Sequence, residues 1–108
     1  RSVIASLLGR SRALADAWGK ADRFLAFWKS NKQGLPANGG SCPQPASEGM
    51  TQKIKGPLQL CGDGALHATL NPDKWKGDRL WIVALKGEIA IGEDKVGALE
   101  REIICEVK

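Results

Sequence analysis

The chain has 108 residues, of which 43% are hydrophobic and 26% are charged, and this composition is that of one ordinary globular domain rather than of a disordered segment. No apolar run approaches the ~20 residues of a membrane-spanning helix, so no membrane partner is expected. The formal net charge is +4, and residues 1–32 carry seven basic side chains against two acidic ones. This excess suits an acidic protein or a nucleic acid as partner.

The first third of the chain has apolar side chains at three- and four-residue steps, as in an amphipathic helix. Arg12, Asp16, Lys20 and Arg23 keep this spacing on the other side. We therefore predict a basic helix or helix pair over residues 1–33, with these three cations as binding residues. The apolar positions that carry the pattern are Ile4, Leu7, Leu8, Leu14, Trp18, Ala21, Leu25 and Trp28.

Residues 34–50 are rich in glycine and proline and predict a long loop. Such a loop either wraps the surface of the domain or separates the helix from the remainder of the chain. Its length exceeds that of most connections inside one compact domain.

Residues 51–108 have a β pattern. Arg79–Lys86 is a nearly continuous apolar run, which predicts a central strand with both faces covered. Glu100–Val107 alternates and predicts its neighbour, while Pro57–Cys61 predicts a short edge strand. The expected fold is α+β: an N-terminal helix or helix pair, the Pro/Gly loop, and a C-terminal antiparallel sheet of three to five strands within one domain.

The same patterns predict the core. In the last strand, Ile103 and Cys105 are expected on one face, and Cys105 is expected to behave as a small buried hydrophobe. The predicted core comprises Trp18, Leu25, Leu60, Leu66, Leu80, Ile82, Val83, Leu85, Ile103 and Cys105.

His67 is the only histidine, and it follows a Gly-rich turn. It can act as a base, contact a partner, or bond backbone beside the turn, and this last role is preferred. A structural role of this kind predicts that His67→Asn keeps stability. A Cys–His nucleophile pair with Cys61 lacks a third, orienting residue. The spacing of Cys42, Cys61 and Cys105 from His67 is not that of a zinc site, so no metal is predicted.

Trp75 is flanked by Lys74 and Lys76 in a charged turn. A large aromatic residue there is a lid over the core, an anchor for a protein partner, or a platform for a nucleic-acid base. We therefore treat these three residues as candidate binding residues together with His67.

The C-terminal half contains a C-x-x-G-x-L-H-A turn from Cys61 to Ala68, a W-x-V-x-L-x-G-E strand from Trp81 to Glu88, and a final R-E-I-I strand from Arg101. With these motifs it resembles small phage and prophage proteins of uncharacterised function. The resemblance implies a phage or bacterial origin, a cytoplasmic location in the bacterial host cell and a compact β-rich unit. It transfers no catalytic residue.

The sequence has one histidine and no complete catalytic motif, so the chain is predicted to be a non-enzymatic binding protein without a cofactor. Its partner would be another protein or a second copy of the chain. One alternative is an NAD-binding enzyme like the ADP-ribosyltransferases, with His67, Thr69 and either Glu88 or Glu102 as its site. The other is nucleic-acid binding through the basic N-terminal face.

Overall fold

Seven β-strands and one short 3₁₀ helix form the regular structure of residues 23–38, 44–60 and 64–107, which are the residues that the computed structural model describes. The large sheet has the antiparallel strand order β1-β4-β7-β2, and the small sheet has the order β3-β6-β5. The strands are β1 (Arg23–Ser30), β2 (Thr51–Lys53), β3 (Leu66–Ala68), β4 (Arg79–Lys86), β5 (Ala90–Ile91), β6 (Val96–Ala98) and β7 (Glu100–Val107), and the 3₁₀ helix is Pro72–Lys74.

The predicted α+β fold is wrong, because the described part of the supposed N-terminal helix is β1. This strand pairs with β4 from Arg23 to Ser30. Both of its faces carry apolar side chains, since Trp28 packs into one core cluster and Phe27 against the other. When both faces of a strand carry apolar side chains, these residues can recur at three- and four-residue intervals and so imitate the pattern of a helix. The remainder of the predicted helix lies outside the described residues.

The principal core fills the space between the two sheets. Trp28 and Trp81 lie directly opposite each other on β1 and β4, and both are buried. Ala68 and Val96 of the small sheet belong to the same cluster. The sheets are also joined through backbone, because Phe27 and Thr69 exchange two hydrogen bonds of 2.8 and 2.7 Å.

Strand β4 is buried on both faces, as its apolar run predicted. Trp81, Val83 and Leu85 face the principal core, whereas Ile82 and Ala84 lie in a second buried cluster on the other face of the large sheet. The bounds of β4 and β7 also agree with the prediction.

A bulge in β7 places its side chains on different faces of the sheet from those predicted. Ile82 pairs with Cys105 and Val83 pairs with Ile103, so Ile104 is an extra residue between two matched pairs. Ile103 therefore faces the principal core, while the consecutive residues Ile104 and Cys105 both belong to the second cluster. Simple alternation put Ile103 and Cys105 on one face, which is wrong.

The described parts of the Pro/Gly loop lie against the strands. Ser30 forms a β-bridge with Pro36, Ala46 donates its N–H to the carbonyl of Gly34 at 2.9 Å, and Gly49 donates to that of Ile103 at 2.8 Å. The loop therefore wraps the surface over these stretches.

The remaining differences concern single elements. Residues 57–60 form no strand, so the edge strand predicted there is absent. Of the predicted core, Leu25, Leu60 and Leu80 are half-buried, and Trp18 lies outside the described residues. Within the described ranges, no helix is long and apolar enough to cross a membrane.

Candidate binding surface

His67 is an internal residue of the small sheet. Its side chain is 2% exposed, and its Nε2–H donates to the carbonyl of Leu60. His67 pairs with Gly97 on β6. A Cβ atom added at Gly97 would lie 3.0 Å from Leu60 Cδ1, so the glycine leaves room for Leu60. The ring thus ties the segment that precedes β3 to the sheet, and it contributes no exposed contact surface.

The residues of the NAD-binding alternative do not form one exposed site. Thr69 is buried, and its hydroxyl donates to the carbonyl of Asp94 at 2.9 Å and accepts from the N–H of Asn71 at 3.0 Å. Glu88 is exposed in the turn after β4 and lines a separate groove. Glu102 on β7 forms ion pairs within the large sheet.

Arg101 is a buried polar residue that the sequence analysis missed. Its side chain is fully buried and donates from Nε to Gln52 Oε1 at 2.9 Å and from Nη1 to the carbonyl of His67 at 2.6 Å. The guanidinium carbon lies 4.1 Å from the ring centroid of Trp28, within the range of a cation–π contact. Alternation with Ile103 indicates that Arg101 points inward, but its bonding partners come from three other strands.

Trp75 packs against the principal core and is half-buried. This position matches that of a lid over the core. Its carbonyl accepts a hydrogen bond from Lys29 Nζ at 3.1 Å. Lys74 and Lys76 on either side of it are exposed. The loop therefore presents its cations to solvent and holds its aromatic ring against the core.

The predicted basic residues of the N-terminal third have different positions. Arg23 begins β1 and forms an ion pair with Glu102 on β7, so this cation is engaged within the large sheet. Arg12 and Lys20 lie outside the described residues.

An open apolar groove lies beside the small sheet, and we call it the β5 groove. Leu70 and Asn71 form part of one wall and residues 91–96 the other, and its volume is about 280 Å³. Leu70 is 65% exposed and Ile91 is 73% exposed. The sequence did not predict this site. The available signal was that Leu70 and Ile91 each lie next to a turn, where an apolar side chain is often exposed.

Two neighbouring segments, which we call the lysine loops, carry four lysines: Lys29 at the end of β1 with Lys32 just beyond it, and Lys74 and Lys76 on either side of Trp75. None of the four forms an ion pair with a carboxylate of the described residues, whereas Arg23, Lys53, Arg79 and Lys86 all do.

Arg79 is the nearby cation that is neutralised. Two of its nitrogens donate to Glu106 at 2.9 Å each, and its guanidinium carbon lies 4.6 Å from the ring centroid of Trp81. The hydrogen bonds to Glu106 raise the pKa of Arg79. The lysine loops beside this pair have no such carboxylate partner among the described residues.

No group of three or more metal-ligating side chains occurs in the part of the chain that the structure describes. Cys42 and Cys61 lie outside that part, and Cys105 is buried on β7.

Comparison of the chain with protein-family models, with curated proteins and with solved structures finds no match. The resemblance to phage and prophage proteins therefore stays a prediction, and the functional argument rests on the two surfaces described above.

Proposed function

We propose that this chain is a small non-enzymatic protein-binding module that holds its partner in the β5 groove. Single exposed apolar residues are common on protein surfaces and need no explanation. Here, however, two of the three large hydrophobic residues exposed in the described ranges border the same groove. That concentration of apolar surface is the observation that carries the proposal.

The geometry favours an extended partner segment. Among the described strands, β5 hydrogen-bonds only to β6, so its outer edge is open to another strand. A segment added there gains main-chain hydrogen bonds and lies next to Ile91, which borders the groove. Because β5 has only two residues, this pairing is short and suits a transient complex.

The internal bonding of the candidate catalytic residues supports binding rather than catalysis. His67 and Thr69 both use their side chains to fix backbone within the fold. A catalytic group must reach the atom that reacts. His67 is buried, and Thr69, although it borders the β5 groove, is buried with its hydroxyl bonded to the backbone of Asp94 and Asn71. A cytoplasmic location in a phage-infected or bacterial cell is part of the proposal, on the basis of the sequence resemblance.

The test compares a Leu70→Ser/Ile91→Ser variant with a Leu35→Ser control. Leu35 is the third exposed hydrophobic residue and does not line the groove. Proteins captured from a bacterial lysate are identified, purified and titrated calorimetrically against each variant. We expect the double variant to bind at least about tenfold more weakly and the control to bind like the wild type.

Two results would contradict the proposal. One is equal affinity of the double variant and the control for every purified partner. The other is a strictly monomeric protein in sedimentation that captures nothing and binds no partner. Self-association that is lost in the double variant would identify a second copy of the chain as the partner.

A further inference from the structure

We infer that the partner segment carries carboxylates next to its apolar residues and that the lysine loops bind those carboxylates. This inference rests on the proposed function, because it specifies the chemistry of the segment held in the β5 groove. It is carried by three observations: the groove and the lysine loops are adjacent along the chain, hydrogen bonds hold the loops together, and none of their lysines forms an ion pair with a carboxylate of the described residues.

The groove and the lysine loops are adjacent along the chain. Leu70 and Asn71 line the groove, and the 3₁₀ helix Pro72–Lys74 follows at once. Lys74 is therefore four residues from Leu70, a distance that a few residues of extended partner can span. The N–H of Trp75 donates to the carbonyl of Pro72 at 3.0 Å, which fixes the turn between them.

Hydrogen bonds hold the two lysine loops side by side. The side-chain amide of Asn38 donates to the carbonyl of Lys76 at 2.6 Å and accepts from its N–H at 2.9 Å. Asp78 donates its N–H to the carbonyl of Ser30 at 2.8 Å, and Lys29 Nζ donates to Trp75. The backbones that carry all four lysines are therefore positioned before any partner arrives, which lowers the entropic cost of binding.

The charges of this surface favour acidic groups at one end of the partner. The four lysines of the loops outnumber the two aspartates among them, Asp73 and Asp78. The opposite wall of the groove carries the two carboxylates Glu93 and Asp94 against the single cation Lys95. Carboxylates of the partner are thus attracted at the lysine end and repelled at the other, which gives the segment a direction.

The same surface suits a peptide better than a single-stranded nucleic acid. Binding of single strands depends on bases stacked against aromatic rings. Trp75 is the aromatic residue of the lysine loops, and its ring is packed against the core. The apolar Leu70 and Ile91 also have no role along a phosphate backbone, whereas they suit aliphatic side chains.

Six synthetic peptide probes test the inference. Each contains Val-Thr-Val-Thr-Val, and the tail of Asp, Asn or Lys residues is placed at the N-terminus in one version of each probe and at the C-terminus in the other. Chemical-shift titrations of the ¹⁵N-labelled protein give affinities and show whether the amides of Leu70 and Ile91 respond. We expect the Asp tail to bind about three- to tenfold more tightly than the Asn tail, the Lys tail to bind most weakly, and one tail position to be preferred.

The Lys74→Gln/Lys76→Gln variant should lose this preference while still binding the Asn-tailed probe. Its matched control is Lys53→Gln/Lys55→Gln, with the same charge change and spacing on β2 and just beyond it, where the preference should persist.

The outcomes separate the two proposals. Equal binding of the Asp, Asn and Lys probes at the groove overturns the acidic partner and leaves the groove function standing. No response from any probe overturns both. A short oligothymidylate could also displace the Asp-tailed probe and change the chemical shifts of the lysine loops. That result would identify a nucleic acid as the partner and overturn the inference.

Discussion

Arg101 connects four strands of this fold. It lies on β7 and bonds Gln52 on β2 and the carbonyl of His67 on β3, and it stacks on Trp28 of β1. A fully buried guanidinium is costly to desolvate, and these contacts offset that cost. The residue therefore joins the two sheets through polar contacts inside an otherwise apolar core.

We expect Arg101→Met to lower the free energy of unfolding by about 2–5 kcal/mol, because two buried acceptors lose their donors. Arg79→Met is the matched control, since Arg79 also stacks on a tryptophan but is partly exposed. Its effect should be much smaller. Urea unfolding of both variants measures the difference, and equal losses would show that Arg101 does not join the sheets.

The histidine bond predicts which substitution is tolerated. The donor is Nε2, whose position is matched by the amide nitrogen of glutamine, whereas asparagine is one bond shorter. The expectation that His67→Asn keeps stability is therefore revised in favour of His67→Gln. We expect His67→Ala to lose about 1–3 kcal/mol and His67→Gln to lose clearly less in urea unfolding. Equal losses would show that the bond to Leu60 contributes nothing.

For the individual elements, the sequence predicts a strand well where its side chains are all apolar or alternate regularly between apolar and polar. The bounds of β4 and β7 follow from a long apolar run and from alternation. Strand β1 has apolar residues on both faces, and their spacing imitates that of a helix. Its pairing with β4 is a long-range contact that no local pattern contains. The bulge at Ile104 is equally invisible, because it depends on the register with Ile82 and Val83.

The candidate site shows the same limit. Trp75, Lys74 and Lys76 were identified from a charged turn, and two of them are exposed cations of the lysine loops. The β5 groove was not identified, because Leu70 and Ile91 are distant in sequence and meet only when the small sheet forms. A pattern along the chain therefore found single exposed residues and missed a surface built from two segments.

The second buried cluster makes a prediction for β4. Ile82 and Leu85 are both fully buried, although they face opposite sides of the large sheet. We expect Ile82→Ala and Leu85→Ala each to lower the free energy of unfolding by about 2–5 kcal/mol. Ile91→Ala on exposed β5 is the control and should change it by less than about 0.5 kcal/mol. A loss below about 1 kcal/mol for Ile82→Ala would mean that only one face of β4 is a core.

At the scale of the whole molecule, the core and the binding surface meet at Val96, which lines the β5 groove and belongs to the principal core. Leu70, Ile91, Lys74 and Lys76, in contrast, are exposed and are not members of the core cluster. Substitutions at Leu70, Ile91, Lys74 or Lys76 should therefore alter binding without altering the fold, which is what makes them usable as tests.

The shared core also predicts that the two sheets unfold together. Ala68, Val96 and Ala98 of the small sheet pack in the same cluster as Trp28 and Trp81, and backbone hydrogen bonds join Phe27 to Thr69. Separation of the sheets would expose this whole cluster, so a state with only one sheet folded is unfavourable.

Tryptophan fluorescence is a suitable probe of this cooperativity, because the chain has four tryptophans and no tyrosine. In a Trp18→Phe background the signal comes from Trp28, Trp75 and Trp81, all of which contact the principal core. We expect the urea transition followed by fluorescence to coincide with that followed by far-ultraviolet circular dichroism. A circular dichroism transition at lower urea, before the fluorescence changes, would show that the small sheet unfolds independently of the tryptophan core.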